Sequence, residues 1–296
     1  KLVIGGVFSN VAGQPSRGIA RLTADGLLDA GFAPTGDFFG VFTIALQSDG
    51  GILLGGGFPS RLARVQADGR TDASFLPAPN GVVNALALHG DGRIFVGGSF
   101  SLIANASRNN LALLKPDGTI DSGFAIGTGL NGSVYALRVV GTDRVLAGGA
   151  FTSLNGTTAN RIVRLQINGG VDGTFTTGTG FNFDVYTLEL VADGRMLVGG
   201  AFGGFNGTQR LAIARLNFNG GLDLSFAPLT FTHAVIAISY LNGGTVLVGG
   251  GFSSFGATTQ YRIARLSASG SQLVAGFGAG LLSSGAVNRI VRLSGG

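Results

Sequence analysis

The 296-residue chain has no cysteine and no tryptophan, and only one glutamate, one methionine and two histidines. Without cysteine there is no disulfide, no thiolate metal ligand and no cysteine nucleophile. The histidines, His89 and His233, have no companion at metal-ligand spacing, so no metal site is expected. The lone glutamate, Glu189, has one plausible carboxylate partner for glycosidase chemistry, Asp184. No Gly-x-Ser-x-Gly elbow and no calcium loop of alternating Asp and Asn is present. No catalytic residue and no cofactor is therefore expected. No apolar run reaches the length of a membrane span, which argues against direct membrane insertion.

Lysine is scarce as well: Lys1 and Lys115 stand against 18 arginines, and the net charge is +5. A basic balance raises the question of nucleic acid. The arginines, however, recur about once per repeat at fixed positions and never form a run, so a nucleic-acid partner is not expected.

Glycine and phenylalanine are abundant, 54 and 22 residues. Six times an apolar run leads into two glycines, any residue and a phenylalanine, at Phe8, Phe58, Phe100, Phe151, Phe202 and Phe252. Four of the five spacings are 50 or 51 and one is 42, where Phe58 is followed within three residues by Arg61. Such a period marks one supersecondary unit copied along the chain. The unit from Val134 to Phe175 reads as four strands. Val134 to Val139 and Arg144 to Phe151 flank the turn Gly141-Thr142-Asp143. A polar loop, Leu154 to Thr158, precedes the strand Asn160 to Gln166, and the turn Asn168-Gly169 leads into a fourth strand from Val171. Asn-Gly and Asp-Gly pairs recur at both turns, where positive φ is needed.

The chain is thus expected to be all-β: a six-bladed β-propeller of four antiparallel strands per blade, a single domain over residues 1–296. Laid on the repeat, Gly296 falls on Gly92 and Lys1 on Arg93 with no gap. The C-terminal strand, residues 287–293, should therefore pair with the N-terminal strand, residues 2–8, and close the ring by removing an exposed edge.

The run Asp193 to Phe202, followed by Phe205-Asn206-Gly207, Ile213 to Leu216 and Gly221 to Phe226, resembles the delta-60 repeat. The resemblance covers the whole chain. It implies a β-propeller repeat of large exported or surface-associated bacterial proteins, and it implies no chemistry. Kelch repeats share the double glycine, but their Tyr and Trp have no counterparts here. Since the chain begins at Lys1 with no visible signal peptide, it is expected to be a mature or excised part of something longer.

Two sets of residues remain to be explained. An arginine of the third strand (Arg21, Arg64, Arg164, Arg215) precedes an aspartate by eight residues (Asp29, Asp72, Asp172, Asp223). An ion pair within the blade is expected, or an aspartate that caps the turn while the arginine reaches its backbone, with Leu113 and Val274 breaking the pairing in two repeats. Strand direction places the short, uniform turns on one face and the long, varied loops on the other. Variable loops on a rigid scaffold are where binding resides. The candidate binding residues are Asp37, Phe38, Phe39, Phe181, Phe183, Asp184 and His233, which set aromatic rings beside carboxylates. The sequons at Asn105, Asn131, Asn155 and Asn206 read as turns rather than glycan acceptors. The expected function is a non-enzymatic binding or adhesion module at the cell surface or outside the cell. It would recognise a protein or glycan, or other domains of the same parent chain. A structural spacer and a polysaccharide hydrolase or lyase are the alternatives.

Overall fold

The computed structural model describes residues 1–275, 277 and 285–290. These form strands, bridges and turns, and no helix among them is long and apolar enough to cross a membrane. The chain divides into two compact units, residues 1–144 with 167–170 and residues 145–166 with 171–296.

In the first unit Leu2–Gly5 pairs antiparallel with Ile19–Leu22. Val41–Leu46, Ile52–Gly56 and Leu62–Val65 form a three-stranded antiparallel sheet with the glycine-pair strand in the middle. Val82–Leu88, Ile94–Ser99 and Leu111–Leu114 repeat it. The strand Arg144–Gly149, which lies in the second unit from Val145 on, pairs with Ile162–Gln166. Two full sheets follow: Val185–Leu190, Met196–Gly200 and Ile213–Leu216, then Val235–Tyr240, Val246–Gly250 and Ile263–Leu266.

The middle strands are apolar on both faces because both faces are covered: every residue of Ile52–Gly56 and Met196–Gly200 is buried. The glycine pair has two separate jobs. A methyl group on the first glycine would collide with a valine of the next repeat, 2.5 Å from Val83 at Gly55 and 2.6 Å from Val185 at Gly148. One on the second would meet the carbonyl of the residue just before the first strand at 2.1 Å, that of Gly40 at Gly56 and of Asp184 at Gly200. The first strand bulges there, with register shifts between Val41 and Thr43 and between Val185 and Thr187. Only glycine admits both approaches. Five motif phenylalanines are buried; Phe8 is half-buried, like the strand Leu2–Gly5 before it.

Two expectations change. The fourth strand shrinks to a single bridge in each repeat, as in Leu22↔Leu28, Leu165↔Val171 and Leu216↔Leu222. The physical reason is local. The Asp172 carboxylate accepts from the Thr174 amide at 3.0 Å, and the Phe175 amide turns back to Asp172 O at 3.0 Å, so the side chain competes with the ladder and ends it. The loop after the glycine-pair strand is instead a small hairpin, such as Ser153–Leu154 with Thr157–Thr158 or Gly204–Phe205 with Thr208–Gln209. Its tips hold Asn105, Asn155 and Asn206 at φ of 59°, 51° and 46°, which agrees with their reading as turn residues. The second repeat lacks this hairpin: the Arg61 amide closes directly on Phe58 O at 2.9 Å.

Of the expected C-terminal strand, residues 287–293, the last three lie outside the described residues. Val287 rests against Gly249 as Val235 rests against Gly199, and its amide donates to Gly250 O at 3.3 Å. Among the described residues Leu2–Gly5 has one strand partner, Ile19–Leu22.

Candidate functional site

Each repeat has a turn end and a loop end. The expected arginine–aspartate pairs form at the turn end: Arg21–Asp29, Arg64–Asp72, Arg164–Asp172 and Arg215–Asp223 all lie at 2.7 Å. Each arginine does more than pair. It lies over a phenylalanine of its own repeat, Phe32, Phe75, Phe175 or Phe226, and donates to a carbonyl in the next repeat's turn, that of Ala67, Pro116, Phe218 or Ala268. The pair is thus a clamp between repeats. Burial works against the Asp172 charge, but Thr174 and Arg164 outweigh it and lower its pKa to about 2. Burial opposes the Asp223 charge as well, and Ser225, Arg215 and Arg195 hold that carboxyl well below the usual range.

The two broken pairs are repaired from elsewhere. Leu113 cannot serve Asp121, and Arg93 reaches it at 3.0 Å. With Val274 opposite, Arg265 donates to Thr245 Oγ1 at 3.1 Å. His89 sits in the turn expected from the sequence, but its side chain is 10% exposed, with Nδ1 2.7 Å from Asp91 and Nε2 2.9 Å from Thr142 O. At this end these arginine, aspartate and histidine side chains are committed to the fold.

The loop end is built around one backbone residue. Gly18, Arg61, Asn110, Arg161, Ala212 and Arg262, each just before a third strand, adopt φ between 60° and 79°. At Arg161 the amide donates to Phe151 O and the carbonyl accepts from Gly149 N, both at 2.9 Å, and the other five repeat this double bond. The left-handed conformation costs about 1 kcal/mol or more outside glycine, and the two hydrogen bonds hold it.

Around this clip the candidate residues separate by role. In the first unit Phe38 is buried, edge-on to Phe58 at 5.5 Å. Phe39 is 49% exposed, and Asp37 pairs with exposed Arg17 at 3.1 Å. In the second unit Phe181 is buried between Phe202 and Phe205, with ring centroids at 4.3 and 4.6 Å. Phe38 and Phe181 therefore hold the loops from beneath, and their rings do not meet solvent. Phe183 is 53% exposed. Arg161 joins two candidates, with Nη1 3.0 Å from Asp184 and its guanidinium 6.0 Å from the Phe183 ring. His233 is exposed in the next repeat's equivalent loop. Phe39, Phe183 and His233 occupy matching positions, each just before the residue whose carbonyl covers a second glycine.

A cavity of about 530 Å³ opens at the loop end of the second unit, lined by Asn160, Arg161, Phe181, Asn182, Gly203 and Asn206 among others. In the first unit a cavity of about 510 Å³ is lined by Asn80, Ser101, Asn109, Asn110 and Asn131 among others. Both volumes suit small ligands. Apart from Phe181, the sequence reading did not assign these lining residues to binding. The available signal was Gly203-Gly204, which stands where the other repeats carry Ser-Asn, Pro-Ser, Ser-Leu, Thr-Ser and Ser-Ser.

The sequence matches the family described as "Domain of unknown function (DUF5122) beta-propeller" over residues 1–32, 47–75, 89–124, 142–175, 192–226 and 244–272. No curated protein matches it. Among solved structures it is similar to the WD40 β-propeller domain of Doa1, with a TM-score of 0.62 and 17% identity over 93% of this chain and 79% of that one. It is also similar to the extracellular domain of the putative one-component system BT4673 from B. thetaiotaomicron, with a TM-score of 0.55 and 14% identity over 88% of this chain. This chain spans 30% of that chain. Virginiamycin B lyase from Staphylococcus aureus matches with a TM-score of 0.51 and 17% identity over 79% of this chain and 69% of that one. At these identities the likeness is one of fold.

Proposed function

The chain belongs to the DUF5122 beta-propeller family, and from that premise we propose that it is a non-enzymatic binding module whose loop end recognises a protein or a glycan. One observation carries this reading. The segments that depart from the repeat hold two cavities of about 530 and 510 Å³ and the exposed rings of Phe39 and Phe183, while the recurring arginine–aspartate pairs of the turn end are spent on joining repeats. Asp37, Asp184 and His233 supply the polar part of the surface. The module is part of an exported or cell-surface bacterial protein, as the delta-60 resemblance implies, and the fold shared with an extracellular domain supports that placement. Other domains of the parent chain are further partners.

The reading takes residues 1–296 as one propeller of six blades, with residues 287–293 supplying the strand next to residues 2–8. The unbroken repeat register and the seat of Val287 on Gly249 support it. Deleting residues 287–296 is expected to lower the melting temperature of the whole chain in a single transition. An unchanged melt removes this closure.

The second reading is a hydrolase or lyase acting on polysaccharide; one lyase, virginiamycin B lyase, shares the fold. Its best carboxylates are Asp184 and Glu189. They sit at opposite ends of the strand Val185–Leu190, roughly 16 Å apart at the rise of an extended chain. Glycosidase pairs lie within about 10 Å.

The test is a screen of the purified chain against bacterial and host glycans and surface proteins, repeated with Phe39→Ala and Phe183→Ala combined. Loss of binding in the double variant is expected. A partner held unchanged by it, but lost on turn-end substitution, would assign the site to the wrong end.

A further inference from the structure

We propose that the second-unit cavity takes a neutral, hydroxyl-rich ligand, a short saccharide, through the side-chain amides of Asn160, Asn182 and Asn206. This deepens the binding reading above and rests on it.

The argument begins from one position in the repeat. The residue after the motif phenylalanine is Ser9, Pro59, Ser101, Thr152, Gly203 and Ser253 in turn. In the third repeat Asn80 of the preceding loop holds the hairpin, its Oδ1 accepting from the Ser101 and Leu102 amides at 2.9 and 3.0 Å. Its Nδ2 then donates to Ser101 Oγ at 2.9 Å, which takes up one of its two N–H groups. In the sixth repeat Thr232 and Ser253 meet in the same way, Oγ1 to Oγ at 3.3 Å. In the fifth repeat Asn182 makes the same first half of the contact, with Oδ1 accepting from the Gly203 and Gly204 amides at 2.9 and 3.0 Å. Gly203 has no hydroxyl to accept the second half. Backbone N–H groups only donate, so the amide cannot flip, and Nδ2 is left facing the cavity.

Two neighbours complete the pattern. Asn206 Oδ1 accepts from the Thr179 amide at 3.1 Å, which fixes its orientation and leaves its Nδ2 toward the same space. Asn160 donates Nδ2 to Thr179 O at 2.8 Å and keeps Oδ1 as an acceptor. Among the described residues these three groups have no partner. Two donors and an acceptor held on rigid loops match hydroxyl groups, each of which both gives and accepts. Net charge does not recommend an ion, since Arg161 is neutralised by Asp184 at 3.0 Å. The exposed ring of Phe183, in the same loop, gives a flat apolar surface for a sugar face.

The position suggests its own test. A side chain at Gly203 meets only Asn182 Nδ2 at 3.6 Å and Leu211 Cδ2 at 3.8 Å, which is ordinary contact, so Gly203→Ser fits and restores the internal partner that Asn80 has. Asn182→Asp keeps the acceptor and removes the donor. The purified chain is titrated calorimetrically with neutral glucan, galactan, mannan and xylan oligosaccharides, and with uronic-acid oligomers of equal length. A neutral oligosaccharide is expected to bind. Gly203→Ser and Asn182→Asp should each weaken it about tenfold, the worth of a well-made hydrogen bond, without a shift in melting temperature. Asp25→Asn, in an exposed turn of the other unit, should leave it unchanged. Neutral saccharide bound equally by the variants, preference for uronates, or no saccharide binding at all would each overturn the proposal. In the last case a protein partner lost with Phe39→Ala and Phe183→Ala would leave the broader binding reading standing.

Discussion

Arg161 and Arg164 are three residues apart, one at the loop end and one at the turn end of the same repeat. Arg164 is fully buried. Its Nε meets Asp172 at 2.7 Å, its Nη1 meets Phe218 O at 2.6 Å, its Nη2 meets Thr174 at 3.0 Å, and its plane lies between Phe175 and Phe218. Arg161 keeps 19% of its side chain in solvent and touches Asp184 and the half-exposed Phe183. The same residue type is thus a rivet at one end and part of a surface at the other. Arg164 grips a backbone carbonyl in the neighbouring repeat's turn, Phe218 O, whereas Arg161 donates to Ala150 O of its own repeat and meets the neighbouring loop through the Asp184 side chain.

The contrast can be broken most directly by Arg164→Ala. Removing one partner of a buried pair leaves Asp172 uncompensated, and the expected loss is about 3–5 kcal/mol in urea denaturation. A loss below about 1 kcal/mol would deny the turn end its structural role. Acid should act on the same network. Because the folded pKa of Asp172 is lowered to about 2, its stabilisation is present above the ordinary carboxylate range and is lost as pH falls from about 4 through about 2. Roughly 2 kcal/mol is expected from this group, and Asp172→Asn should flatten that part of the pH–stability curve. A curve of the variant parallel to wild type would place the acid sensitivity elsewhere.

Arg93→Ala sharpens the comparison within the turn end. It removes the substitute partner of Asp121, whose carboxyl is held low against burial by Arg93. Both groups are partly exposed, so about 1–2 kcal/mol is expected, less than at Arg164. Equal losses would mean that burial does not set the scale. At the loop end Phe39→Ala and Phe183→Ala should each change stability by no more than about 0.5 kcal/mol. A loss of several kcal/mol would show that these rings belong to the core after all.

Much of the scaffold was legible in the residues. The glycine pairs, the Asp-Gly turns, the eight-residue Arg–Asp spacing and the missing second-repeat loop all appear where the pattern puts them, because each has a steric or charge requirement that one residue type meets. The short fourth strand was not legible, since Val171 alternates like a strand residue until the Asp172 side chain captures the backbone two residues on. The candidate loops were located by their departure from the repeat, but exposure within them was not. Phe181 and Phe183 read alike as letters, and one is 2% exposed while the other is 53% exposed.

The sequence by itself determined the repeat, the all-β class and the end of each repeat at which variation collects. Period, turn chemistry and glycine placement are local properties, and a chain carries them before it folds. The tertiary structure decided which polar groups are left over. Asn80 and Asn182 hold their hairpins by the same two hydrogen bonds, and only the folded loop reveals that Ser101 completes one of them while Gly203 leaves the other with a free donor. Whether a donor is satisfied depends on what stands within about 3 Å of it, and residues 21 positions apart come that close only through the fold.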